Sequence, residues 1–165
     1  MAYDIDFIEK GQLKLHIRKF LLYPEYWSDV SNQIPYNLSW KGYKFEKKNE
    51  VKIPDHKGVY CFIVKPQISN FFETKYLFYV GQTTRTLRQR FYEYLDDQTG
   101  KGKPRPKVYE MLKLYQDNLY FFFSNINDNS QIDEVEEKLL NTFVPHINTD
   151  IPKAKIKSEL RNIYE

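Results

Sequence analysis

The side chains best suited to act on a charged substrate are cations and phenols. From Arg85 to Lys107 there are seven bases (Arg85, Arg88, Arg90, Lys101, Lys103, Arg105, Lys107) against three acids, Glu93, Asp96 and Asp97. From Lys153 to Arg161 there are four bases (Lys153, Lys155, Lys157, Arg161) and one acid, Glu159. Stretches of this kind neutralise phosphates, although a charge run alone is more often a solvated helix face or a solubilising tail. Two tyrosines, Tyr60 in Gly58-Val59-Tyr60 and Tyr79 in Tyr79-Val80-Gly81, sit in strand-like runs. Cys61 is the single cysteine, which excludes a disulfide framework and a Cys-rich zinc site, and a reducing, cytoplasmic setting is expected. His16, His56 and His146 have no ligand spacing, and His56 reads as a loop residue.

The elements that must position these groups follow from periodicity. A chain of 165 residues supports one domain with a real core. With 41% apolar and 28% charged residues it fits a soluble globular protein. No apolar run approaches the ~18 residues that span a bilayer, and the acidic, patterned N-terminus does not read as a signal peptide. The net charge of +3 is too small to identify a partner. Lys57–Lys65 (KGVYCFIVK) reads as a buried strand and Lys75–Gly81 (KYLFYVG) as a second, closed by its glycine. Thr84 is the expected N-cap of a helix to Asp97, with Leu87, Phe91, Tyr94 and Leu95 on one face. A basic Gly/Pro loop, Gly100–Pro106, leads to a short helix, Val108–Tyr115. Asn118–Ser124 is a third strand and Ile132–Phe143 a third helix, stopped by Pro145. The expected fold is α/β (α+β): a small three-stranded, mainly antiparallel sheet flanked by helices. Residues 1–55 read as an extension packing on or assisting the core, with a helix within Ile5–Tyr23; 56–150 form the core domain, and 151–165 a basic tail, an exposed helix or disordered end. Tyr60 and Cys61 should face opposite sides of the sheet.

Order and spacing add what the short motifs lack. Arg90 follows Gly81 by nine residues, and Tyr94 stands one helical turn beyond it. Glu136 is followed by Leu139, Leu140, Pro145 and Asn148 at +3, +4, +9 and +12. In this arrangement the sequence from about Gly58 to Asn148 resembles the GIY-YIG nuclease superfamily, with valine for isoleucine in both naming motifs. The loop between the first two strands is longer than in minimal members. Arg88 lies close to Arg90, but the Leu87 and Phe91 flanks and Tyr94 one turn on favour Arg90.

The resemblance implies an endonuclease fold and a catalytic set of Tyr60, Tyr79, Arg90, Tyr94 and Glu136, with Glu136 the ligand of one Mg²⁺ or Mn²⁺ per active site. A hard cation that keeps several waters needs only one or two carboxylates. Arg90 would hold the phosphate by parallel N–H bonds, and Tyr60 would orient or deprotonate the attacking water. An ordinary tyrosine has a pKa of ~10, so the second role requires cations such as the metal, Arg90 or Lys65 to lower it. Gly81 would let the strand end turn tightly, and Asn148 would fix a helix end or the sheet. Further substrate contacts are expected from Arg85, Arg88, Lys101, Lys103 and Arg105. Cleavage of double-stranded DNA is the leading expectation, as in restriction, mobile-element or phage-type members. A structure-specific repair nuclease and a non-catalytic nucleic-acid-binding module are the alternatives. The expected partner is DNA, with no membrane, and a homodimer would account for cutting of both strands.

Overall fold

The run Gly58–Val64 is apolar on both sides of its alternation and lies at the centre of the fold. In it Val59, Tyr60 and Phe62 are at most 1% exposed, as expected of a strand covered on both faces. The computed structural model describes residues 13–150 and 156–165. The elements are α1 (Pro24–Ser28), β1 (Lys41–Lys44), β2 (Gly58–Val64), β3 (Tyr76–Thr83), α2 (Leu87–Gln98), α3 (Pro106–Leu114), β4 (Leu119–Asn125) and α4 (Asn129–Phe143). Short 3₁₀ turns occupy Val30–Asn32, Lys47–Lys52, His146–Asp150 and Ser158–Leu160.

The sheet has four strands in the order β1-β4-β2-β3, all antiparallel, rather than the three expected. The added strand, KGYK, is short and lacks an apolar alternation; it pairs Lys41–Lys44 with Tyr120–Phe123 of β4. The N-terminal section thereby contributes a strand to the sheet. Its residues Ile34, Tyr36 and Leu38 also pack on the opposite face, beside Val59, Ile132 and Val135.

Period-two alternation divides the core. Tyr60 and Phe62 join Phe91, Tyr94, Phe121 and Leu112 beneath α2 and α3, whereas Cys61 and Val80 meet Leu140 of α4. Cys61 therefore does face away from Tyr60, and burial pushes its thiol up to about 12, which suits a core residue rather than a nucleophile. One irregularity breaks the alternation. Opposite Phe62 and Ile63, β3 presents Tyr79 and Leu77, leaving Phe78 as an extra residue. That bulge puts Phe78 and Tyr79 in the same cluster under α2 while Leu77 and Val80 stay on the α4 side.

Helix limits differ from those read in the sequence. Thr86, not Thr84, caps α2, its hydroxyl accepting from Gln89 N at 3.0 Å. Asp128 accepts from Ser130 N at 2.7 Å, so α4 starts at Asn129 rather than Ile132. Of the helix expected within Ile5–Tyr23, residues 5–12 lie outside the described residues, and 13–15 are helical. In the C-terminal tail, 151–155 likewise lie outside. The rest is largely exposed yet anchored: Ile156 and Leu160 are buried, and the Tyr164 hydroxyl donates to the Val144 carbonyl at 2.6 Å. No helix among the described residues is long and apolar enough to cross a membrane.

Phe121 sits where the layers meet, with ring centroids 5.1 Å from Tyr60, 5.4 Å from Phe62 and 5.2 Å from Phe91. Phe121→Ala is expected to cost about 3–5 kcal/mol of stability, measured by urea unfolding. A loss below about 1 kcal/mol would show that the aromatic layer can close over the gap.

Candidate active site

Helical spacing brings Arg90 to the side of α2 that borders β2 and β3, between the buried anchors Leu87, Phe91 and Tyr94. Its guanidinium is committed in several directions. Nε and Nη2 donate to the Tyr60 hydroxyl at 3.3 and 3.2 Å, Nη2 also donates to Tyr94 at 3.0 Å, and Nη1 meets the Glu93 carboxylate at 2.6 Å. The Tyr60 and Tyr94 hydroxyls are themselves 2.9 Å apart. Burial opposes the charge on Arg90, but Tyr60, Tyr94 and Glu93 outweigh it and raise its pKa, so the guanidinium is permanently charged. Such a fork, held on several sides, is a fixed anion-binding group.

Tyr79 is buried beside this cluster, its ring 6.3 Å from those of Tyr60 and Tyr94. Its hydroxyl accepts from Arg105 Nη2 at 3.1 Å. Burial pushes all three tyrosines above the ordinary phenol value; Arg90 pulls Tyr60 and Tyr94 down, and Arg105 pulls Tyr79 down, by less than burial raises them. Lys65 gives no help, because it pairs with Glu73 at 2.8 Å and lies over the Tyr120 ring. The lowered Tyr60 pKa that a base would require is therefore not supplied by the protein's own cations.

Gly81 is not a turn residue. It lies within β3, paired with Tyr60, and a Cβ there would come within 2.5 Å of the Tyr60 ring and hydroxyl. Its missing side chain makes room for the phenol at the sheet's edge. A cavity of about 490 Å³ opens here, lined by Tyr60, Tyr79, Arg90 and Tyr94 from one face and by Glu136 of α4 from the other. The site thus straddles the edge strand β3. Asn148 holds that edge: its Oδ1 accepts from Val80 N at 2.9 Å and its Nδ2 donates to Val80 O at 2.6 Å. Asn148 borders the cavity, but its amide serves the strand.

Of the expected cationic contacts, Lys103 and Arg105 line the cavity. Arg85 pairs with Glu93 at 2.7 Å on the helix exterior. Arg88 turns the other way, donating to the Ile53 carbonyl at 2.8 Å and pairing with Asp55 at 2.6 Å, so it anchors the segment before β2. Lys101 lines a different hollow, with Glu46 and Asp96. Two polar lining residues lay outside the expected set. Asp97 stands seven residues after Arg90, two helical turns along the same face, and burial holds its carboxyl above the usual range despite Arg90 and Arg105. Gln82 follows the second motif, and alternation turns it towards α4, where its Nε2 donates to Asp133 at 3.3 Å.

The donor set fits a hard cation. Glu136 offers a carboxylate at the cavity, and the buried Oε1 of Gln82, which also lines it, has no hydrogen-bond partner among the described residues. Neutral and anionic oxygens around a roomy cavity suit an ion that keeps waters. No cluster of three or more His, Cys, Asp or Glu able to hold a metal occurs among the described residues, so the set does not resemble a closed zinc cage.

An antiparallel sheet whose edge strand is bracketed by a tyrosine–arginine cluster and a glutamate defines an α+β domain with an anion-binding cavity. A family model described as the GIY-YIG catalytic domain matches residues 56–148, and the chain belongs to that family. Comparison with curated proteins and with solved structures gives no match.

Asn148→Ala should leave the Val80 amide and carbonyl without their partner, at a cost of about 1–3 kcal/mol for each unsatisfied group. Urea unfolding would register the loss, and amide exchange at Val80 should quicken. Unchanged exchange at Val80 would mean that the edge is held by something else.

Proposed function

We propose that the chain is a metal-dependent DNA endonuclease that hydrolyses phosphodiesters, with double-stranded DNA as substrate. The observation that carries this reading is the convergence of Arg90, Tyr60, Tyr79, Tyr94 and Glu136 on one cavity from opposite sides of β3. Glu136 would hold a single Mg²⁺ or Mn²⁺, whose remaining positions water and the phosphate would fill. Such an ion, when bound, polarises a phosphoryl oxygen and eases departure of the leaving oxygen.

The protein's own groups do the rest. Arg90, braced by Glu93 and two hydroxyls, holds its charge at the cavity before the phosphate arrives and exchanges part of that bracing for the phosphate oxygens, and preorganised charge is worth most where charge develops in the transition state. Tyr60, a neutral phenol whose hydroxyl accepts from Arg90, positions the attacking water. Deprotonation of that water by Tyr60 would need the added charge of the ion. Tyr94 fixes the angle between Tyr60 and Arg90. Asn148 and Gly81 keep the β3 edge where Glu136 can reach the same phosphate.

Supercoiled and linear plasmid, incubated with Mg²⁺ or Mn²⁺, test this reading. Wild type should cut, Glu136→Ala should not, and Arg90→Ala should be slowed ~10²–10³-fold, as for loss of one transition-state donor. Cutting that persists in Glu136→Ala would remove that residue from the site. DNA binding with no cleavage in either metal, on plasmid or on branched substrates, would favour a non-catalytic module. Cutting confined to branched DNA would favour a structure-specific repair enzyme.

A further inference from the structure

The loop between α2 and α3 carries three cations that differ in how they are held. Lys101 and Lys103 are exposed and alternate with Gly100, at φ 77°, and Gly102. Arg105 is half-buried and lies between Pro104 and Pro106. A residue before proline is restricted to extended conformations, and Arg105 adopts one, φ −62° and ψ 135°, as the N-cap of α3. Pro106 begins the helix, where its missing N–H is not needed. The Arg105 backbone is therefore fixed while the lysines beside it stand on permissive chain.

The side chain is fixed as well. Nη2 donates to the Tyr79 hydroxyl at 3.1 Å, and the guanidinium carbon lies 5.6 Å from the Tyr79 ring centroid. Arg90 is held in the same way by Tyr60 and Tyr94, and both arginines line the cavity that Glu136 borders. Arg90 also has the Glu93 carboxylate. The one side-chain hydrogen bond of Arg105 among the described residues goes to a neutral hydroxyl. The Asp97 carboxylate of the same cavity feels its charge without hydrogen-bonding to it, and a charge partly withdrawn from water gains from an anion that does bond to it.

We propose that Arg105 is a second guanidinium at the reacting phosphate, facing Arg90 across the tyrosine cluster, and that it acts on the chemical step rather than on DNA affinity alone. This rests on the nuclease reading above. Two planar forks on one phosphate would share the charge that accumulates on its non-bridging oxygens as water adds and the leaving oxygen departs. A lysine keeps the charge but not the fork.

The test has two arms. In the first, inorganic phosphate is titrated into ¹⁵N-arginine-labelled protein and the guanidinium Nε–H signals are followed. The Arg90 and Arg105 signals should move together with one apparent Kd, and Arg105→Ala should weaken that binding at least about tenfold, roughly one charge-assisted contact. A stationary Arg105 signal while Arg90 moves would overturn the proposal. In the second arm, single-turnover cleavage is measured at saturating protein, alongside the Kd for the same duplex without metal. Arg105→Ala should slow cleavage ~10²-fold with a smaller change in Kd, and Arg105→Lys should recover Kd but not rate. Wild-type rate at saturation in Arg105→Ala would overturn the catalytic role. Thermal unfolding of both variants separates a folding defect from either result. If wild type binds phosphate at both arginines yet cuts nothing, the nuclease reading fails and the paired site stands.

Discussion

The burial of one positive charge organises this structure. Arg90 is withdrawn from water on the flank of α2 and can remain there only because two phenols and one carboxylate accept its N–H groups. An uncompensated guanidinium at such a depth would cost several kcal/mol. The strands that deliver Tyr60 and Tyr79, the helix turn that spaces Glu93 and Tyr94 from Arg90, and the aromatic layer beneath them all serve that one requirement. The result is an electropositive wall whose geometry is set before any substrate arrives.

The opposite wall comes from elsewhere in the chain. Glu136 belongs to α4, which packs on the far face of the sheet, so its carboxylate meets the arginine cluster only by passing the margin of β3. That route depends on β3 being the outermost strand, on Gly81 leaving the margin open, and on Asn148 keeping the backbone there in place. Opposite charges are thus drawn together across a strand that separates them, with the cavity between.

Much of this was legible in the sequence. The buried run Val59–Val64 and the i, i+4, i+7 set of Leu87, Phe91 and Tyr94 each report a periodic constraint, and the structure follows them; the offsets from Glu136 to Asn148 come with the family resemblance. What was not legible depended on pairings between distant segments. Strand β1 is four polar or small residues that become a strand only because β4 offers an unpaired edge. The bulge at Phe78 leaves no trace in a run that is apolar throughout, yet it brings Phe78 into the same cluster as Tyr79. Gly81 was expected to ease a turn, whereas the constraint on it is the volume of a ring on the neighbouring strand. Arg88 and Arg90 are two residues apart and almost equally basic in context. Helical phase sends one to brace Ile53 and the other to the cavity.

The clasp of Asn148 on Val80 also bears on how copies of this chain can meet. Both the donor and the acceptor of Val80 are occupied by a side-chain amide that mimics a neighbouring strand. An incoming chain seeking to lengthen the sheet at this margin would have to displace that amide first. At the other margin, β1 carries Lys41 and Lys44, whose like charges repel a second copy of themselves. Continuous sheets across a two-fold axis are therefore disfavoured at either end.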